Sequence, residues 1–100
     1  MADICLTLIC PPEVEEHILD LLLLEPGIAV FTSTSTSAHG VALGARSQME
    51  QVLGRASALQ IQALISETDK LRIIAAISGR FAGAGIRYWV SQIAESGEVQ

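Results

Sequence analysis

Hydrophobic and polar residues recur along this chain with two different periods, and the switches between them divide it into six elements. In residues 3–10, Ile4, Leu6, Leu8 and Cys10 fall on one face and Cys5, Thr7 and Ile9 on the other. That is a strand with both faces apolar. Pro11-Pro12 ends it and opens a helix over 12–25, because proline is tolerated in a first helical turn and Glu13, Glu15 and Glu16 suit its dipole. Val14, Ile18, Leu21 and Leu22 give the helix a buried stripe, which Leu19, Leu23 and Leu24 widen beyond what one core face needs. Pro26-Gly27 terminates it. A second strand starts at Ile28, with Val30, Thr32, Thr34 and Thr36 sharing its face and Phe31, Ser33, Ser35 and Ser37 on the other. The alternation of β-branched threonines predicts a polar edge strand rather than a linker. Residues 38–57 hold no sustained period and read as a long loop, with 51–53 as a short strand candidate.

Clean alternation returns at 58–66, with Leu59, Ile61, Ala63 and Ile65 toward the core. Thr68 or Ser66 is placed to cap a second helix running to about Ala82, striped by Leu71, Ile74, Ile77 or Ser78, and Phe81. Gly83 and Gly85 stop it, a last strand covers 86–94, and the tail from Glu95 reads as frayed or partner-dependent. The order is β-α-β-β-α-β, an α+β, ferredoxin-like arrangement filling residues 1–100 as one domain. Both helices then cover one face of an antiparallel four-stranded sheet. The uncovered face carries Cys5, Thr7, Ile9, Leu64, Ile93 and either Tyr88 or Trp89. A free sheet face this apolar predicts an oligomer that buries sheet against sheet.

Charge narrows the partners. Six basic against eleven acidic residues leave a net charge of −5, with no basic stripe to meet a phosphate backbone, so no nucleic-acid partner is expected. The longest apolar run, Leu21 to Leu24, is far too short to enter a bilayer. The opening Met1-Ala2-Asp3-Ile4 has no basic leader, and the expected location is the cytoplasm. Cys5 and Cys10 lie roughly 16 Å apart on opposite faces of one strand, so they cannot pair with each other or share one ion within a chain. No nucleophile-base or paired-cysteine motif is present, and no catalytic residue is assigned.

The element order and long β2–β3 loop, with His39-Gly40, Glu50-Gln51-Val52, Gly54-Arg55, Arg87-Tyr88-Trp89-Val90 and Glu95-Ser96-Gly97, resemble a small PII-like family of unknown function. That family stands within the superfamily of nitrogen-regulatory PII and CutA proteins. The resemblance implies a cytoplasmic homotrimer whose sheets line the centre, with ligands in clefts between subunits closed by residues 38–57. It also implies an association with heavy-metal efflux systems, and hence a membrane-transporter or other protein partner. ATP, 2-oxoglutarate and uridylylation are not carried over. Gly83-Ala84-Gly85 runs straight into the last strand without a Gly-Asp-Gly-Lys-like segment, and Tyr88 is the one tyrosine.

The candidate ligand-binding residues are His39 and Gly40 in the loop, and Arg46, Arg55 and Arg87, whose guanidinium forks match phosphate or carboxylate. A lone His39 binds no metal tightly, but three copies meeting in a trimer supply a ligand set. The expected function is therefore a non-enzymatic regulator that binds a small ligand or metal between subunits and acts on a protein partner. The alternative is a CutA-type protein for divalent-metal or copper tolerance with Cys5, Cys10 or His39 as ligands.

Overall fold

Two apolar faces on one strand are useful only in the middle of a sheet, and that is where the first strand sits. The computed structural model describes residues 2–40 and 56–100. Its elements are β1 (Ile4–Cys10), α1 (Glu15–Leu24), β2 (Ile28–Ala38), β3 (Ala56–Ile65), α2 (Lys70–Phe81) and β4 (Arg87–Gln92). The sheet order is β2-β3-β1-β4, with every neighbouring pair antiparallel. This is the ferredoxin-like α+β arrangement, with the two helices on one face. Ile18, Leu21 and Leu22 from α1, and Ile73 and Ile77 from α2, pack onto Leu6, Leu8, Ile61 and Ile65.

Several local expectations are corrected. Proline at 11 and 12 starts a short 3-10 turn, Pro12–Val14, and the α-helix begins only at Glu15. Ile28 does not share a face with Val30. A β-bulge between them leaves Ile28 opposite Ile65 and Phe31 opposite Ala63, so both pack against the core. An extra residue reverses side-chain parity, and alternation counted from Ile28 cannot see it. Leu71 is 77% exposed, and the buried positions of α2 are Ile73 and Ile77. The helix starts at Lys70, after a 3-10 turn over Glu67–Asp69, which turns the i, i+4 pair 73 and 77 inward. Neither Ser66 nor Thr68 caps it through its side chain. Instead Ser66 donates to Asp69 Oδ2 at 3.1 Å, and the Asp3 carboxylate accepts the Glu67 amide at 2.8 Å.

The hairpin is also longer than its pattern indicates, for β2 persists to Ala38 and β3 starts at Ala56. Thr36, Ser37 and Ala38 pair with Ala58, Ser57 and Ala56, beyond the last β1 pair at Cys10 and Leu59. Small residues on both strands supply no hydrophobic contrast, so the period is invisible there. The strand candidate at 51–53 lies outside the described residues. The last strand is shorter than 86–94, and the tail is tethered: Ile93 N–H donates to the Asp3 carbonyl at 3.3 Å and Ser96 Oγ to the Ala2 carbonyl at 2.6 Å.

One cation joins the two crossovers. Arg72 of α2 pairs with Glu25, donates to the Pro26 carbonyl at 2.7 Å and lies 3.4 Å from Asp69. Gly27 beside it has φ +93°, and a Cβ there would come within 2.8 Å of both Arg72 and Asp69. Gly27→Ala is therefore expected to cost about 1–2 kcal/mol, mainly from the left-handed backbone. Ile61, fully buried in a central strand, is expected to cost about 3 kcal/mol as Ile61→Ala, whereas exposed Leu71→Ala stays within about 0.5 kcal/mol of wild type. Urea unfolding midpoints at constant slope measure all three. An Ile61→Ala cost no larger than that of Leu71→Ala would contradict the assigned core.

Candidate functional site

Pairing register sorts the uncovered sheet face into three cross-strand rows. Val30, Leu64, Cys5 and Ser91 form one, and Thr32, Gln62, Thr7 and Trp89 the next. The third, Thr34, Gln60, Ile9 and Arg87, lies toward the overhanging hairpin. Trp89 is thus the aromatic residue of this face, and Tyr88, opposite Leu8, points to the helix side. Thr7 is only 1% exposed although neither α1 nor α2 covers it; Gln62 and Trp89 flank it in its row. Its hydroxyl lies 3.9 Å from the Cys5 sulfur. Trp89 and Val30 remain 51% and 52% exposed. Ile93, also expected here, follows the end of β4 and is half-buried.

On the helix side of β4 a cavity of about 430 Å³ opens between the end of α2 and the edge strand. Its walls include Leu8, Ile77, Phe81 and Ile86, with Ser78 and Tyr88 bringing hydroxyl groups. The size is within the range of small-molecule sites. Its floor depends on the turn after α2, where Gly83 (φ +81°) and Gly85 (φ +87°) hold left-handed conformations and Ala84 N–H donates to the Phe81 carbonyl at 3.0 Å. This is a helix C-terminus, whose carbonyl end disfavours a phosphate. The cavity therefore suits an apolar or ring-bearing group oriented by hydroxyls. A second recess of about 340 Å³, lined by Gly85, Ile86, Arg87 and Tyr88, leads around the start of β4 to the open face, where the Arg87 guanidinium is exposed. Ser78, Phe81 and Tyr88 were not among the sequence candidates. Strand parity from Arg87 was the available signal for Tyr88, since it separates Tyr88 from Trp89.

The sequence candidates that fall on described residues are not brought together within one chain. Arg87 sits at the start of β4, while exposed His39 and Gly40 follow β2 at the far end of the hairpin. Strand spacing and rise put His39 and Arg87 roughly 20 Å apart. Gly40 has φ +140°, and among the described residues nothing lies within 4 Å of a Cβ placed there. Arg46 and Arg55 lie outside the described residues. Cys5 is half-buried on the open face and Cys10 is buried on the helix face, where desolvation pushes its thiol up to about 11. A thiol so protonated at neutral pH is a poor metal ligand or nucleophile. Among the described residues, no three His, Cys, Asp or Glu side chains converge as a metal site would require. No described helix is long and apolar enough to cross a membrane.

Comparison with known proteins matches this geometry at the level of fold. A crystal structure of a DUF3240 family protein from Shewanella baltica OS155 superposes with a TM-score of 0.81 at 15% identity, covering 100% of this chain and 99% of that one. CPII from Thiomonas intermedia K12, described as a nitrogen regulatory PII-like protein bound to ADP, AMP and bicarbonate, gives 0.71 at 18% identity, with 99% and 98% covered. A PII-like signalling protein from Thermus thermophilus, itself so described only provisionally, gives 0.65 at 16% identity, with 93% and 88% covered. No curated protein matches the chain. The model of the family described as "Protein of unknown function (DUF3240)" matches residues 1–100, and the chain belongs to that family, with a PII-like fold.

Proposed function

We propose that the protein is a PII-like regulator that assembles as a cytoplasmic homotrimer through its open sheet face, binds a small anionic ligand at the border between subunits, and passes the state of that site to a protein partner through the β2–β3 hairpin. The observation that carries this reading is the sheet face away from α1 and α2, where Val30, Cys5, Thr7, Ile9, Leu64 and Trp89 share three rows with few charges. Apolar sheet surface of this kind is stabilised by a second sheet, and a closed ring of subunits also protects the exposed edges of β2 and β4. The ligand border is the start of β4, where Arg87 offers a fork for an anion and the Tyr88 cavity accepts a ring. ADP, AMP and bicarbonate, named for the Thiomonas protein, are the first ligands to test here. The chain's lack of a Gly-Asp-Gly-Lys-like segment argues that any nucleotide is held differently from ATP in PII proteins proper. The hairpin reaches beyond the sheet at the same end as Arg87, which suits it to report occupancy to a partner such as a metal-efflux system.

Native mass spectrometry is expected to give a trimer that takes up one or three copies of one species when offered AMP, ADP, ATP, bicarbonate, copper or zinc. A stable monomer overturns the assembly, and a trimer that binds none overturns the ligand. Trp89→Glu is expected to dissociate the trimer and expose Cys5, whose reaction with a disulfide reagent then accelerates at least tenfold. Buried Cys10 stays unreactive until unfolding. Equal Cys5 rates in the two proteins argue against sheet-to-sheet burial. Arg87→Ala is expected to weaken binding of the anion about 10–100-fold while leaving the trimer intact, as loss of a charge-assisted contact implies. An unchanged affinity by titration calorimetry removes Arg87 from the site.

A further inference from the structure

The outer surface of α1 is unusual for a solvated helix. Helical spacing puts Glu16, Asp20, Leu23 and Leu24 on the side opposite buried Ile18 and Leu22. Leu23 and Leu24 are 71% and 85% exposed, although both lie in a helix whose core positions are already filled. On α2, Leu71 is 77% exposed. The Arg72–Glu25 ion pair and the Arg72 bond to the Pro26 carbonyl hold the last turn of α1 against the first turn of α2. Leu24 and Leu71 are the chain neighbours of Glu25 and Arg72, so the leucines border one junction. No lysine or arginine occurs in α1, whose residues 15–24 are Glu-Glu-His-Ile-Leu-Asp-Leu-Leu-Leu-Leu. The nearby Arg72 is already engaged by Glu25 and Asp69.

The surface is thus an apolar knob at one end of an acidic stripe. That combination selects its complement. A second copy of the same surface would set Glu16 and Asp20 against like charges, and an anionic membrane would be repelled by the same groups. A segment with apolar residues on one side and lysines or arginines along its flank satisfies both parts. We propose that the outer face of α1, together with Leu71, docks a basic amphipathic helix of a partner protein. This surface lies on the helix side of the sheet, away from the proposed trimer face, and it uses neither the β4 cavity nor the hairpin.

The test uses the full protein and a fluorescein-labelled helical peptide with leucines on one face and lysines on the other, followed by anisotropy at low and moderate salt. A peptide of equal charge with serines for leucines is the first control, and phosphatidylserine vesicles the second. Leu23→Ser/Leu24→Ser and Glu16→Lys/Asp20→Lys are each expected to weaken binding of the leucine-lysine peptide at least tenfold, the second pair also flattening its salt dependence. Glu95→Lys/Glu98→Lys, the same charge change in the exposed tail, leaves binding unchanged. The substituted side chains are exposed, and thermal unfolding verifies that each variant keeps its fold. The proposal is overturned if the tail variant loses as much binding as the α1 variant, if the leucine variant binds like wild type, if the serine peptide binds equally well, or if the vesicles are bound instead.

Discussion

The structure turns on a mismatch between a strand with two apolar faces and two helices, α1 and α2, that cover only one of them. β1 is central, between β3 and β4, and both of its faces are removed from water to differing degrees. Ile4, Leu6, Leu8 and Cys10 are sealed by α1 and α2, whereas Cys5, Thr7 and Ile9 lie among their row neighbours on the face away from those helices. Right-handed crossovers from β1 to β2 and from β3 to β4 send both helices to the same side. The remaining face is then a fixed result of topology, and its composition decides what covers it. Had the second face been Lys, Glu and Thr throughout, it would suit solvent without any cover.

Most of this architecture was legible in the chain because its elements announce themselves by contrast. The Ile-x-Leu-x-Leu-x-Cys alternation of β1, the Leu59 to Ile65 alternation of β3 and the Ile18, Leu21, Leu22 stripe all place apolar against polar, and burial follows them. The pattern misleads where contrast fails or phase slips. At Ala29 one extra residue resets the parity of β2, which a pattern counted from its first residue inherits in full. In α2 the apolar residues at 71, 73, 74 and 77 fit two stripes, and the helix start, set by the Glu67–Asp69 turn, chooses between them. In the hairpin ends, alanine, serine and threonine are indifferent to face.

The candidate site was less readable for a different reason. Its residues are contributed by chain segments that periodicity treats as ordinary: an exposed tyrosine in an edge strand, a helix-terminal serine and phenylalanine, and a glycine turn that looks like a helix stop. Arg87 could be singled out by charge, but its position opposite Ile9, on the face away from Tyr88, needed the register. The cysteines illustrate the converse. Their five-residue separation on a strand already put them on opposite faces, and the folded chain adds only how deeply Cys10 is desolvated.

The β2–β3 hairpin has a mechanical property that its composition conceals. It is ten paired positions long on a sheet whose other pairings are shorter, and its two strands are joined by an uninterrupted ladder from Val30 to Ala38. A two-stranded ladder resists bending along its length far better than a loop does, so its outer end moves with its base. Over the roughly 14 Å from the Arg87 row to Ala38, a tilt of about 10° at the base displaces the tip by about 2 Å. That is the scale on which a hydrogen bond is made or lost. In the proposed assembly the threonine and serine ribbon is thus a pointer, one that would convert a small change in how subunits meet into a displacement at Ala38.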